Sequence, residues 1–188
     1  MRRQVIATVV LMLLTLGRRA HANAHARPAL GQGDLVLTSE LAYVAGLGST
    51  AIPSTLVGAH YFVWNDVSLG AMATVGGAWQ PGDDADNDAA MFGLAGVLRH
   101  HFARRDRATF FADVAFGPVQ ATRRVPGEGT HFNFITRTGP GATLQLNERT
   151  HLMLAVRYWH LSNARIDGPA RNPSLNGAEV AVGLMWRW

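Results

Sequence analysis

The sequence predicts an all-β protein, an eight-stranded antiparallel up-and-down β-barrel that spans a membrane. Three observations predict it. Apolar residues alternate with small or polar ones in eight segments, the connections between these segments alternate in length, and the chain ends on an aromatic residue, Trp188. Alternation with a period of two is typical of strands with one apolar face. An even number of such strands, with short turns at one end and longer loops at the other, is typical of barrels in the Gram-negative outer membrane.

The first 26 residues predict an export signal. Two arginines follow the initiating methionine, and residues 5–16 form an apolar stretch that is too short to cross a bilayer as a helix. Small residues then provide two cleavage sites. We therefore expect a signal peptide that is cleaved after Ala22 or Ala26, and a barrel over residues 27–188.

The charge balance gives no indication of a nucleic-acid partner. The chain has 17 Lys and Arg residues against 13 Asp and Glu. All 17 are arginines, and four of them lie in the predicted signal, so the remaining chain is formally neutral and lacks the basic surface that binds nucleic acid. Since the chain has no cysteine, it has neither a disulfide framework nor a thiolate metal site. The sequence predicts no metal and no cofactor.

The first four predicted strands each have an apolar face and a small or polar one. In the first, leucines alternate with Thr38 and Glu40. The second and third are separated by the short turn WNDV. In the fourth, Phe92 and Leu98 lie on one face and Arg99 lies on the other. These strands are predicted at 35–47, 55–64, 67–79 and 89–103.

The last four strands follow the same alternation. In the fifth, Phe110 and Asp113 lie on different faces of the strand, and in the seventh the same holds for Leu154 and Arg157. The sixth follows a loop rich in Gly and Pro, and in the eighth every second residue from Val180 to Trp188 is apolar. These strands are predicted at 107–119, 130–146, 150–162 and 176–188.

A soluble eight-stranded barrel of the lipid-carrier type is the alternative fold, and its apolar face would point inward. The export signal and the terminal tryptophan favour the membrane version. The interior of an eight-stranded barrel is filled by its own side chains, so we do not expect a diffusion pore. Function is therefore expected on the rim or on the outer wall.

His160 and Ser162 lie two positions apart near the end of the seventh strand, on its apolar face. Such residues are separated by roughly 6.6 Å, from about 3.3 Å per residue, so an imidazole can reach a hydroxyl. With an even strand count this strand ends at the outer surface, near the lipid headgroups. The pair is compatible with a nucleophile and its base acting on a lipid ester, and also with a polar strand end that has no chemical role.

The stretch HLSNARIDGPARNPSLN, residues 160–176, resembles the signature of the PagL family of lipid A 3-O-deacylases. The His-x-Ser-Asn-Ala core of that signature is matched by His160, Ser162, Asn163 and Ala164, and its later Asn-Pro-x-x-Asn-type segment by Asn172, Pro173 and Asn176. The family layout of a signal peptide, eight strands and a C-terminal motif covers nearly the whole chain.

The resemblance implies an outer-membrane esterase that releases the acyl chain at position 3 of lipid A. It implies Ser162 as the nucleophile and His160 as its base. Asn163 and Asn172 are candidate donors to the oxyanion, with turn formation as the alternative role for both. Arginines of the outer loops are candidates to bind the lipid A phosphates. These are Arg165 and Arg171, together with Arg123 and Arg124.

The third catalytic group is where this sequence departs from the family pattern. Family members can carry a glutamate four residues after the motif asparagine that Asn172 matches, and in this chain that position is Asn176. If Asn176 pairs across from His160, antiparallel numbering puts Glu179 across from Arg157, a favourable ion pair on the lumen face. We therefore predict that Asn176 orients the histidine and that Glu179 is structural, with Glu179 as the alternative triad acid.

The main alternative function is a non-catalytic small outer-membrane barrel with a structural or adhesin-type binding role. A calcium-dependent phospholipase is not supported by the motif, and such an enzyme needs clustered oxygen ligands. The one acidic cluster in the sequence is GDDADND, residues 82–88, which we interpret as a solvated outer loop. The sequence also leaves open the acyl-chain preference and whether the protein forms a homodimer.

Overall fold

The computed structural model describes residues 30–47, 50–80 and 87–188. The predicted signal peptide, with its two cleavage sites, and residues 82–86 of the acidic loop lie outside the described residues. No helix in the described ranges is long and apolar enough to cross a membrane.

Eight antiparallel strands close into one barrel, in which each strand pairs with its neighbours in the sequence and the last pairs with the first. The strands are β1 (Leu35–Leu47), β2 (Thr50–Trp64), β3 (Val67–Ala78), β4 (Ala89–Arg105), β5 (Ala108–Val125), β6 (Thr130–Gln145), β7 (Thr150–Ser162) and β8 (Leu175–Arg187). A single 3-10 turn, Pro169–Arg171, lies between β7 and β8. The predicted fold class is confirmed.

Six of the predicted strands agree with the structure to within two residues at each end, and the other two are longer than predicted. The strand β2 begins at Thr50 rather than at 55, although Pro53 has no backbone N–H for the ladder. Pro53 is tolerated because it still lies opposite Tyr43 of β1, while the ladder with β3 is interrupted there and continues as a bridge at Ala51.

The strand β5 continues to Val125, six residues beyond its predicted end, so the stretch that was predicted as a loop is partly a strand. Groups from β4 and from the residues that follow β3 hold this extension. The Gln80 amide donates to the Arg124 carbonyl at 2.9 Å, and the Ala90 backbone N–H donates to Thr122 Oγ1 at 2.9 Å. Such cross-strand contacts depend on the closed barrel and cannot be read from local composition.

The apolar face of the strands points outward. Large apolar side chains along the wall are roughly half exposed, between 45% and 58%, and they include Val57, Leu69, Leu94, Val114, Val156 and Val182. A continuous apolar surface of this extent is rare on soluble monomers, but it matches the hydrocarbon of a bilayer. The alternative of a soluble barrel with an apolar interior is therefore wrong.

The middle of the lumen holds six buried charged side chains that neutralise one another. These are Glu40, Arg99, Asp113, Arg137, Arg157 and Glu179, each at most 3% exposed. Arg157 is at the centre, where its Nε and Nη2 contact both oxygens of Asp113 at 2.9 and 3.0 Å. Its Nη1 contacts Glu40 at 2.7 Å and Glu179 at 3.1 Å. We call these six residues the lumen ion cluster.

Above the lumen ion cluster, at the end with the longer connections, the lumen is apolar. We call this the outer end. Trp159 and Leu161 of β7 are 1% and 0% exposed and pack in an apolar cluster with Val44, Ile52, Met91 and other residues from neighbouring strands. Because side chains alternate along a strand, this inward anchoring fixes the outward direction of the residues on either side, His160 and Ser162.

The first prediction concerns the lumen ion cluster. Replacing Arg157 by Met should leave three carboxylates short of positive charge in a buried setting, and it should lower the free energy of unfolding by ~3–5 kcal/mol, as for other broken buried pairs. A matched control is Arg104→Met at a partly exposed ion pair with Asp66, where the loss should be ~1 kcal/mol or less. Urea unfolding in detergent, followed by the gel shift of the folded barrel, measures both losses. Equal losses in the two variants would contradict a special role for the lumen ion cluster.

Candidate active site

The candidate site lies where the end of β7 meets the start of β8. His160 pairs with Asn176, and three positions further along, Arg157 pairs with Glu179. The register under which the sequence predicts an ion pair between Arg157 and Glu179 is therefore the one observed. On the other side of β7, Ser162 pairs with Phe134 of β6. The strand β7 ends at Ser162, so the pair of polar residues stands at the outer rim of the wall.

Three side chains form a hydrogen-bonded chain on this outward face. His160 Nε2 lies 3.2 Å from Ser162 Oγ, and His160 Nδ1 lies 2.7 Å from Asn176 Oδ1. All three residues are half-buried. An amide oxygen only accepts, so this contact requires the proton on Nδ1. In the neutral imidazole, Nε2 then carries the lone pair and faces the serine hydroxyl. In this arrangement His160 can accept the proton of Ser162.

Glu179 does not take part in this chain. Its side chain is fully buried in the lumen, where its Oε2 accepts from Arg137 Nε at 2.8 Å and its Oε1 accepts from Arg157. The pairing of β7 and β8 is continuous from Leu161 to Thr150, without the bulge that would bring Glu179 to the outer face. The structure therefore brings together Ser162, His160 and Asn176, and it places Glu179 on the opposite face.

The loop after Ser162 is held by two asparagines. The backbone N–H of Asn163 donates to Asn172 Oδ1 at 2.9 Å. The Asn163 side-chain amide donates to the Arg171 carbonyl at 2.8 Å and to Thr130 Oγ1 at 3.3 Å, and its Oδ1 accepts from the Arg165 backbone N–H at 2.9 Å. The Asn163 amide is thus used once within the loop and once toward the start of β6, and the residue is 2% exposed.

The loop after Ser162 also carries donors that the hydrogen bonds described above do not use. Ala164 and Arg165 have left-handed φ angles of 54° and 63°, which turn the chain sharply after β7. Within the described part of the chain, the Ala164 backbone N–H and Asn172 Nδ2 have no acceptor. Each of these two donors belongs to the loop that begins directly after Ser162.

The predicted phosphate-binding arginines lie around the outer end. Arg165 and Arg171 are exposed on the loop between β7 and β8, and Arg123 and Arg124 are exposed on the extension of β5. Arg171 belongs to the 3-10 turn, and its backbone carbonyl accepts a hydrogen bond from the Asn163 side-chain amide. The loop that the two asparagines hold therefore also carries two of the four arginines.

The described ranges contain no group of three or more His, Asp or Glu side chains that could hold a metal ion. The acidic loop that a calcium site would need falls mostly outside those ranges. The interpretation of residues 82–88 as a solvated outer loop stays a prediction.

Sequence reasoning missed two residues that contact the site. Tyr158 Oη donates to Asn176 Oδ1 at 2.5 Å, and Thr130, at the start of β6, supports the loop through Asn163. The alternation along β7 already placed Tyr158 on the face of His160, and that signal was available. Nothing in the sequence indicated the contact of Thr130, because it joins residues 33 positions apart.

A family model described as "Lipid A 3-O-deacylase (PagL)" matches residues 55–185, well over half of the chain. The chain belongs to the lipid A 3-O-deacylase (PagL) family. The protein is therefore an outer-membrane enzyme that deacylates lipid A, and the interpretation as a non-catalytic barrel is set aside. The matched region includes every residue of the hydrogen-bonded chain and of the loop described above.

Solved structures with a similar fold are outer-membrane barrels. The outer membrane enzyme PagL has a TM-score of 0.56 at 18% identity, over 80% of this chain and 97% of that one. Neisserial surface protein A has a TM-score of 0.59 at 12% identity, over 82% and 96%. OprG from Pseudomonas aeruginosa has a TM-score of 0.56 at 11% identity, over 85% and 98%. At these identities the likeness shows the fold alone. The search of curated proteins found no match.

The second prediction tests the bracing role of Asn163. Asn163→Ala removes the hydrogen bonds of its side chain and should loosen the loop, lowering deacylase activity and exposing the loop to proteases. The matched control is Asn147→Ala in the turn between β6 and β7, where Oδ1 accepts from the backbone N–H groups of Arg149 and Thr150. Each variant should lose only ~1–2 kcal/mol of stability. If the two variants lose activity equally, the loop of Asn163 has no special connection to the reaction.

Proposed function

We propose that this protein hydrolyses the ester-linked acyl chain at position 3 of lipid A with Ser162 as nucleophile, His160 as general base and Asn176 as the residue that orients the imidazole. The single observation that carries this proposal is the hydrogen-bonded chain from Ser162 Oγ through both ring nitrogens of His160 to Asn176 Oδ1. A purely structural wall gains little from a basic ring aimed at a hydroxyl on its apolar face.

The reaction follows from this chain in two halves. Ser162 Oγ attacks the ester carbonyl carbon while His160 Nε2 takes the hydroxyl proton. The bond from that carbon to the sugar oxygen then breaks, and the imidazolium returns the proton to the sugar oxygen as it leaves. In the second half, His160 takes a proton from water, the water oxygen attacks the acyl-serine, and the fatty acid is released as Ser162 regains its proton.

Amide donors of the loop are proposed to stabilise the oxyanion. Asn172 Nδ2 and the Ala164 backbone N–H have no acceptor within the described residues, so both are available to the negative oxygen that forms in the transition state. Asn163 has its amide hydrogens in use. Its proposed contribution is to hold Asn172 and the turn in place.

The position of the site suits a substrate that stays in the membrane. Below His160 the outward face of β7 is apolar, with Val156 54% exposed, and beside Ser162 the rings of Phe134 and Phe116 stack with centroids 5.5 Å apart. An acyl chain can lie against this wall while the sugar remains at headgroup level. Arg165 and Arg171 are then proposed to bind its phosphates, since guanidinium groups pair with phosphate in a bidentate way.

The third prediction separates this mechanism from a structural role. Ser162→Ala and His160→Ala should each remove release of the 3-linked acyl chain, with a loss of several orders of magnitude in rate, as is common when a triad member is removed. Matched controls are Ser39→Ala and His100→Ala, which change the same residue types on the exposed face of β1 and β4. Mass spectrometry of lipid A from cells that express each folded variant measures the release. Undiminished release by both site variants would refute the mechanism.

The fourth prediction sets Asn176 against Glu179. Asn176→Ala should lower turnover strongly because the imidazole loses its acceptor. Asn176→Glu should raise turnover, because a carboxylate stabilises the imidazolium better than an amide does. Glu179→Gln should mainly lower barrel stability through Arg137 and Arg157. Deacylation rates and urea unfolding of the same three preparations decide the assignment. An inactive but stable Glu179→Gln variant, beside a near-normal Asn176→Ala variant, would make Glu179 the triad acid.

A further inference from the structure

The side-chain amide oxygen of Asn176, Oδ1, accepts hydrogen bonds from two side chains of β7. One donor is His160 Nδ1, at 2.7 Å, and the other is Tyr158 Oη, at 2.5 Å. In the ladder, Tyr158 lies opposite Ala178 and His160 lies opposite Asn176, so the tyrosine reaches diagonally across the face. Its ring lies nearly parallel to the imidazole, at an interplanar angle of 13° and a centroid distance of 6.5 Å.

An asparagine presents two different ends to a histidine. If the amide turns by half a rotation, Nδ2 replaces Oδ1, and a donor then faces His160 Nδ1. That contact requires a lone pair on Nδ1 and moves the proton to Nε2, the atom that faces Ser162 Oγ. In this second state the histidine cannot take the serine proton. Activity therefore depends on which end of the amide faces the ring.

We propose that Tyr158 is a positioning residue that keeps the amide oxygen of Asn176 turned toward His160. This inference rests on the proposed function and assigns part of it to a residue that does not touch the reacting atoms. With both donors in place, each lone pair of Oδ1 has a partner, and the amide has a reason to keep this orientation. Without the tyrosine hydroxyl, only the histidine selects between the two ends, and the histidine can adapt by changing its tautomer.

The chemistry of the acceptor makes this role specific to an amide. A carboxylate at the same position has two equivalent oxygens, and half a rotation changes nothing. A hydroxyl that serves only to orient Asn176 should therefore lose its importance when residue 176 is a glutamate. A hydroxyl that serves the stability of the wall should matter equally whether residue 176 is asparagine or glutamate.

The experiment uses Tyr158→Phe, which keeps the ring against the wall and removes only the hydroxyl. It is made in the wild-type chain and in Asn176→Glu. Tyr61→Phe is the matched control, because Tyr61 is also an outward tyrosine with 51% exposure. For each folded barrel, kcat and KM are measured on lipid A in mixed micelles. The proton positions of the His160 ring are read from nitrogen chemical shifts of histidine-labelled protein, with His160→Gln identifying its signals among those of the other histidines of the barrel.

The expected result for Tyr158→Phe is a kcat lower by roughly two- to tenfold, the fold-change that corresponds to one net hydrogen bond, with KM unchanged. The His160 signals should shift from the form protonated at Nδ1 toward a mixture with the form protonated at Nε2. In the Asn176→Glu background the same change should leave kcat and the ring protonation as they were, and Tyr61→Phe should match the wild type.

Two results would overturn the inference. One is an unchanged kcat and an unchanged tautomer in Tyr158→Phe, and the other is an equal loss in both backgrounds. Ser162→Ala separates this failure from failure of the proposed function. If Ser162→Ala is inactive while Tyr158→Phe is normal, only the role of Tyr158 is wrong. If Ser162→Ala remains active, the mechanism itself is wrong, and the tautomer of His160 still tests whether Tyr158 orients Asn176.

Discussion

The pairing register between β7 and β8 is the constraint on which both the interior and the candidate site depend. His160 lies opposite Asn176 and Arg157 lies opposite Glu179. The two pairs are three positions apart, so they point to opposite faces of the wall. A slip by one residue would send every side chain of a strand to the other face. The buried charges would then meet lipid and the site would face the lumen. The ion pairs inside therefore stabilise the alignment that the outer site needs.

The division of polar groups between the two faces also explains why the site can stand on an apolar wall. Charged groups are concentrated in the lumen, where Arg157 alone contacts three carboxylates. On the outer face the hydrogen-bonded chain consists of two hydroxyls, an amide and an imidazole, and it contains no carboxylate or guanidinium group. Each of these groups has a partner, since hydrogen bonds join Ser162 to His160, His160 to Asn176, and Asn176 to Tyr158. Neutral groups with satisfied hydrogen bonds cost far less to place beside hydrocarbon than unpaired charges do.

Alternation predicted most of the fold because every strand has one face toward lipid and one toward a packed lumen. The same parity brought His160 and Ser162 together and separated Asn176 from Glu179. It did not predict the extension of β5 to Val125, whose partners come from other strands. It also could not assign the hydrogen bonds of Asn163, because these depend on the turn made by Ala164 and Arg165. The sequence thus predicts which face a residue occupies, while the loop bonds follow only from the closed barrel.

In the proposed mechanism, the amide at position 176 has opposite effects on the wall and on the reaction. A carboxylate there would stabilise the imidazolium more strongly, but it would place a charge at the outward rim of an apolar surface whenever the histidine is neutral. Asn176 avoids that charge, at the cost of weaker stabilisation of the imidazolium and of an amide with two unequal ends. A neighbouring donor can select which end of the amide faces the histidine. Tyr158 supplies such a donor from the same strand as the histidine. Under this proposal, the second hydrogen bond to Asn176 does for the amide what the symmetry of a carboxylate would do without help.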